Sequence, residues 1–159
     1  MQRNHLKPLG EMDPLSVTTG VFSLLVVCIR TGTILKDFYD NAAIADTKVK
    51  GLLTEVESFT QVLRLMKDTL EQENIKASFQ ATGHIGNHLN NLVISIGDGQ
   101  KTLLQLQETV EKVNKSVGLL DGARKHLRLR SAADEIAVYQ QQIRSYRDTL
   151  QLTLQTVIL

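Results

Sequence analysis

The sequence predicts an all-α protein, a bundle of four or five helices whose first helix is unusually apolar. Apolar residues return every three or four positions along three long segments, which is the spacing of helices that face a core. After Pro14 no stretch shows sustained strand alternation between hairpin signals. The 159 residues, 42% of them hydrophobic, suit one domain with a core of ordinary size.

The first helix lies in "MDPLSVTTGVFSLLVVCIR", residues 12–30. Asp13 followed by Pro14 reads as an N-cap with proline at the first helical position, so the helix should start there. Sixteen residues without a charge separate Asp13 from Arg30, and from Val21 to Ile29 only one residue is not apolar. A helix that is apolar on every side is central in a protein or lies in lipid.

The length of this apolar run bears on a membrane role. Sixteen helical residues span about 24 Å, less than the hydrocarbon layer of roughly 30 Å. The run extends through Leu35 if Arg30 reaches a lipid headgroup, so conditional insertion stays open. A secretion signal fits worse, because Glu11 and Asp13 stand where basic residues belong and the small-residue site "NAAIA" lies far downstream.

The three segments with apolar residues at helical spacing predict the remaining helices. The second helix starts at Thr47, and the third runs from Leu89 to Val117 with a bend or break expected at Gly97 and Gly99. A turn is expected at Asp121-Gly122, followed by a short helix over 124–130. The second helix and the last one carry these apolar residues: Val49, Leu52, Leu53, Val56, Phe59, Leu63, Met66 and Leu70; then Leu127, Ile136, Tyr139, Ile143, Leu150, Leu154 and Val157.

The two ends of the chain lack such patterns. Residues 1–11 are polar and without periodicity, so we expect a disordered leader before a domain over 12–159. The closing "LQLTLQTVIL" carries no capping residue, which favours a domain boundary or a fragment of a longer chain.

Few residues suggest chemistry. Cys28 is the single cysteine, which excludes an internal disulfide, and among apolar neighbours it should behave as a small hydrophobe. His84 and His88 have metal-ligand spacing in "HIGNH", but no third ligand is evident. The run "ISIGDGQKT" lacks the Gly-Lys-Thr of a phosphate loop, and no serine has a recognisable His and acid partner. The sequence therefore predicts no enzyme, no metal, no cofactor and no small-molecule substrate.

Charge and aromatic content argue against nucleic acid. The formal charge is +1, and the chain has no Trp, three Tyr and four Phe, too few for stacking platforms. The sharpest local feature is the basic cluster, defined as Arg124, Lys125, Arg128 and Arg130. It is either a headgroup-binding patch, at about 1 kcal/mol per residue near an anionic surface, or a solvated helix face. We favour the solvated face, paired with the acidic residues Asp121, Asp134 and Glu135.

The segment "MDPLSVTTGVFSLL" resembles the start of the fungal N-terminal domain of STAND proteins, the HeLo-like group. "LLTEVESFTQVLRLMKDTL" and "IAVYQQQIRSYRDTLQLTLQTVIL" are similar to the second and final helices of that family, so the resemblance covers about residues 12–159. Members of the group also include ankyrin-containing proteins and accessory proteins encoded beside azaphilone pigment genes.

The resemblance implies a helical-bundle effector of cell death, in which oligomerisation exposes the first helix to the plasma membrane. The membrane-active residues would be Leu15, Val17, Val21, Phe22, Leu24, Leu25, Val26, Val27 and Ile29. The alternative is a soluble adaptor or self-association domain with no membrane activity. In either case we expect a cytoplasmic chain whose partners are copies of itself, downstream domains of the same protein or an anionic membrane.

Overall fold

A computed structural model describes residues 14–41, 47–75 and 86–158. Within these ranges the chain forms five long helices and no strand, which confirms the predicted all-α class. The helices are α1 (Pro14–Asn41), α2 (Thr47–Leu70), α3 (Gly86–Val117), α4 (Gly122–Ala137) and α5 (Tyr139–Ile158). The leader 1–11 and the cap residue Asp13 lie outside the described residues, and the described part of α1 starts at Pro14.

The helices form a four-cornered bundle in which α4 and α5 together make the fourth corner. Both α1 and α5 pack on α2 and α3, so α2 and α3 face each other across a diagonal. Helix α1 runs parallel to α3, because Gly20 faces Ile96 and Thr31 faces Gln107 further along both helices. Helix α2 likewise runs parallel to α4 and α5. The segment 71–85, which joins α2 to α3, therefore links diagonal corners of the bundle.

The fourth corner is a long helix interrupted once. The chain turns at Gly118 and Leu119, slightly before the expected Asp121-Gly122, and Gly122 is already the first residue of α4. Gly122 takes a φ of +42°, where glycine is favoured. The helix that follows is longer than the short one expected over 124–130, since it continues to Ala137. It breaks for one residue, Val138, and resumes at Tyr139, so the last apolar stripe is divided between two helices.

The core lies between the four corners and is built from the inner faces of all the helices. Phe59 is fully buried at its centre, close to Gly99 and Leu24. The break that was one of the two possibilities expected at Gly97 and Gly99 is wrong, because α3 is a single helix through both positions. Gly99 packs against α1 and α2 side chains, and this burial offsets the low helix propensity of glycine.

Candidate functional site

The outward face of α1 carries three of the ten large hydrophobic residues that are exposed in the described part of the chain. Phe22, Val26 and Ile29 are 52%, 52% and 42% exposed, and we call them the α1 stripe. They are spaced four and then three residues apart, so they lie on one side of the helix. Three half-exposed apolar side chains on one face make a small contiguous patch, of a size found on ordinary monomers as well as at interaction sites.

The opposite face of α1 is bound into the core. Its buried residues are Val17, Val21, Leu24, Leu25, Cys28, Thr31, Leu35 and Phe38. Within the bundle, α1 is therefore not enclosed on every side. Helix α1 is a wall of the bundle, with α2 and α3 on its inner side and the α1 stripe outside. Of the other predicted membrane-active residues, Val27 is half-buried, and the side chain of Leu15 lies outside the described residues.

Buried polar contacts reinforce the attachment of α1. The Cys28 thiol lies 3.5 Å from the Val56 carbonyl oxygen and 3.1 Å from the Thr60 hydroxyl on α2. Burial raises the pKa of the Cys28 thiol to about 11, although the Thr60 contact lowers it. On the other side, the Gln107 amide of α3 donates to the Thr31 hydroxyl at 2.9 Å. These contacts would all break if α1 left the bundle.

The length of α1 also bears on membranes. The helix exceeds the sixteen uncharged residues, and Val17–Asn41, 25 residues whose most apolar 18-residue window has a mean hydropathy of 1.7, is long and apolar enough to cross a bilayer. A third of its most apolar window is buried inside the bundle. Core helices of soluble proteins and secretion signals pass the same criterion, so this finding is weak support for a membrane span.

The basic cluster lies on α4, at the end of the bundle where α3 finishes. Arg128 donates to the Glu135 carboxylate at 3.0 Å, as the solvated-face interpretation predicts. Asp134 instead pairs with Lys48 of α2. The structure records no ion pair for Arg124, Lys125 and Arg130 with any described residue. All three are exposed, so the cluster is only partly paired.

A buried carboxylate that the sequence analysis missed joins α2 to α5. Glu55 is 5% exposed and lies 3.2 Å from Arg144 Nε and 2.5 Å from Arg147 Nη1. The second contact is an ion pair without hydrogen-bond alignment, since Glu55 Oε1 has no hydrogen-bond partner. The signal was available in the sequence, because Glu55 sits three residues after Leu52 and beside Val56 in the apolar stripe.

The histidine pair lies at the start of α3. His84 and the side chain of His88 are outside the described residues, and the backbone of His88 is helical. Among the residues that are described, no three His, Cys, Asp or Glu side chains come together as metal ligands would. The hypothesis of a histidine metal site is thus untested at its own residues.

Comparison with known proteins gives one family. No curated protein and no solved structure matches the chain. Residues 12–159 match the family model described as "Pigment biosynthesis cluster protein PigL N-terminal". This match agrees with the pigment-cluster part of the resemblance, while the more specific STAND assignment remains a prediction. Because the match covers most of its length, the chain belongs to the PigL N-terminal family.

Proposed function

We propose that this chain is a non-enzymatic adaptor domain of a pigment-cluster accessory protein, which acts as a closed cytoplasmic bundle through its surface. The family description supports the pigment-cluster setting. The observation that carries the adaptor role is the division of α1 into two faces. One face is fixed in the core, and the other presents the α1 stripe to solvent.

The packing of α1 favours a domain that stays closed. Removing α1 would uncover six buried Val, Leu and Phe side chains of its own, each stabilised by about 1.5–3 kcal/mol on burial. Lipid could cover that loss for α1 itself. It could not cover the faces of α2 and α3 on which α1 packs, nor replace the contacts of Cys28 and Thr31. Release of α1 therefore needs a second source of free energy.

The second candidate function is the membrane-active effector of cell death implied by the STAND resemblance. The length and hydropathy of Val17–Asn41 favour it, and oligomerisation is the source of free energy that the family mechanism would supply. The two functions differ in one property, which is whether α1 leaves the bundle when lipid is present.

Dye release from anionic liposomes separates these functions. The variant is Val26→Glu, which places a carboxylate in water while the bundle is closed, because Val26 is half-exposed. Its matched control is Leu152→Glu, an exposed apolar position on α5. The adaptor proposal expects background release by all three proteins at unchanged helical content. Release by the wild type and by Leu152→Glu, but not by Val26→Glu, would refute it and support the effector.

A further inference from the structure

Helices α3 and α4 meet in a turn at one end of the bundle, and the described part of the chain covers this end only thinly. The first buried side chain of α4 is that of Ala132, ten residues after the helix begins. Lys48, the second residue of α2, pairs with Asp134, so the first twelve residues of α4 precede that contact, a length of about 18 Å. We call residues 118–131 the α3–α4 tip.

Two exposed leucines stand among cations at the α3–α4 tip. Leu119, in the turn, is 89% exposed, and Leu127, on the outer face of α4, is 64% exposed. Arg124 and Arg130 lie three residues before and after Leu127, so they flank it on either side of the helix. Together with Lys125, they are exposed and make no ion pair within the described residues. A solvated face would explain paired cations, but it does not explain leucines set between unpaired ones.

The segment that contains the tip is strongly positive. From Lys112 to Ser131 there are six Lys and Arg and one acidic residue, Asp121, so this segment carries +5. The whole chain carries +1, which leaves −4 on its other residues. The acidic residues next to the segment on α3 and α4 are engaged in pairs: Glu108 with Lys112, Glu111 with Lys115, Asp134 with Lys48, and Glu135 with Arg128. Asp37 and Asp40 lie on α1, at the corner diagonal to α4, and Lys36 stands beside them.

We propose that the α3–α4 tip binds an anionic lipid surface while the bundle stays closed. The inference rests on the adaptor function proposed above and names the surface to which the adaptor is recruited. Each Lys or Arg near an anionic membrane strengthens binding about fivefold, and the tip offers three that have no acidic partner. Leu119 and Leu127 enter the boundary between headgroups and acyl chains, where apolar side chains of peripheral proteins are buried.

Lipid fits this surface better than other anionic partners do. Residues 112–131 contain no Phe, Tyr or Trp on which a nucleic-acid base could stack. A partner helix docks in a groove, whereas the tip is a convex turn at the end of the bundle. A bilayer accepts a convex tip, and it supplies both the negative charge that the cations attract and the apolar layer that the leucines need.

Co-sedimentation of the full chain with vesicles tests the proposal. The wild type should pellet with vesicles of about 30% phosphatidylserine in phosphatidylcholine and stay in the supernatant with phosphatidylcholine alone. The double variant Arg124→Gln with Arg130→Gln should lower the partition coefficient about 25-fold, and Leu127→Gln should lower it at least about fivefold. Circular dichroism confirms that each variant is folded.

Arg64→Gln is the matched control, because Arg64 is an exposed cation about 24 Å along α2 from Lys48. That distance exceeds the screening length of about 10 Å at 0.1 M salt, so the partition coefficient should change less than about twofold.

Asp121→Asn should act in the opposite direction. Asp121 is exposed at the N-cap position of α4 and makes no side-chain capping hydrogen bond, and asparagine is as good a capping residue. Removal of its negative charge should therefore raise the partition coefficient about fivefold at unchanged helical content. An unchanged or lower partition coefficient would contradict binding through the tip.

The remaining outcomes separate this proposal from the adaptor function. A wild type that does not pellet with anionic vesicles would overturn lipid binding, as would equal losses for Arg64→Gln and the double arginine variant. Binding to soluble polyglutamate without binding to vesicles would assign the tip to an acidic protein instead. Each of these results leaves the adaptor proposal standing, because dye release alone decides whether α1 leaves the bundle.

Discussion

Replacing Gly99 by alanine should stabilise the protein, although the residue is buried in the middle of the core. A methyl group built at Gly99 would lie 3.7 Å from Leu24 Cδ2 and 3.7 Å from Phe59 Cζ, which are ordinary van der Waals distances. Alanine gains about 0.5–1 kcal/mol over glycine within a helix. Burial of the added methyl contributes about 0.8 kcal/mol more. The free energy of unfolding should therefore rise by about 1.3–1.8 kcal/mol.

Gly97 supplies the matched control, two residues earlier in the same helix. A methyl group there meets nothing within 4 Å, so Gly97→Ala should gain the helix term alone. Thermal unfolding followed by circular dichroism should place Gly99→Ala about 3–7 °C above the wild type and Gly97→Ala about 1–4 °C above it. A lower Tm for Gly99→Ala than for the wild type would refute the inference that α3 leaves room for a methyl group against α1 and α2. A lower Tm for both would refute the unbroken α3 helix.

Two further predictions concern buried groups. Burial raises the pKa of the Cys28 thiol from 9.0 to about 11. Between these pH values the thiol is therefore protonated in the folded state and ionised in the unfolded state. Stability should be full below pH 9 and should fall by up to about 2–3 kcal/mol as pH rises to 11, a slope that urea titrations of Cys28→Ala should lack. Glu55→Ala should lower the free energy of unfolding by about 2–3 kcal/mol, less than a fully buried pair because Arg144 can turn to water. Glu57 is exposed on the same helix, so Glu57→Ala should lower the free energy of unfolding by less than about 0.5 kcal/mol in the same titration. An equal loss for both variants would contradict a stabilising role of the buried Glu55 carboxylate.

Periodicity was sufficient to predict the helices and most of the core. Spacing identified most inward residues of α2, since the predicted apolar positions from Val49 to Leu70 follow at steps of one, three or four residues and all but Leu53 are buried. It also predicted the connection before α4 to within a few residues, with the turn at Gly118 and Leu119 and a positive φ at Gly122. These features depend on neighbours in sequence, which is the information that a single chain carries directly.

Features that depend on neighbours in space were missed. The continuity of α3 follows from the packing of Gly99 against Leu24 and Phe59, which come from two other helices. The sequence of α1 could not separate its inner from its outer face, because apolar residues occupy both. Only the positions of α2 and α3 show that Val26 points outward while Leu24 points into the core.

The diagonal placement of α2 and α3 has a consequence for synthesis on the ribosome. Helix α1 can pack on α2 as soon as α2 is made, but its other partner, α3, is made much later. Gln107 of α3, which binds Thr31, is 76 residues further along the chain. At about 5–20 residues per second, part of the inner apolar face of α1 stays uncovered for about 4–15 s. During that interval the nascent chain exposes apolar surface on both sides of its first helix, and this is when chaperones have most opportunity to bind it.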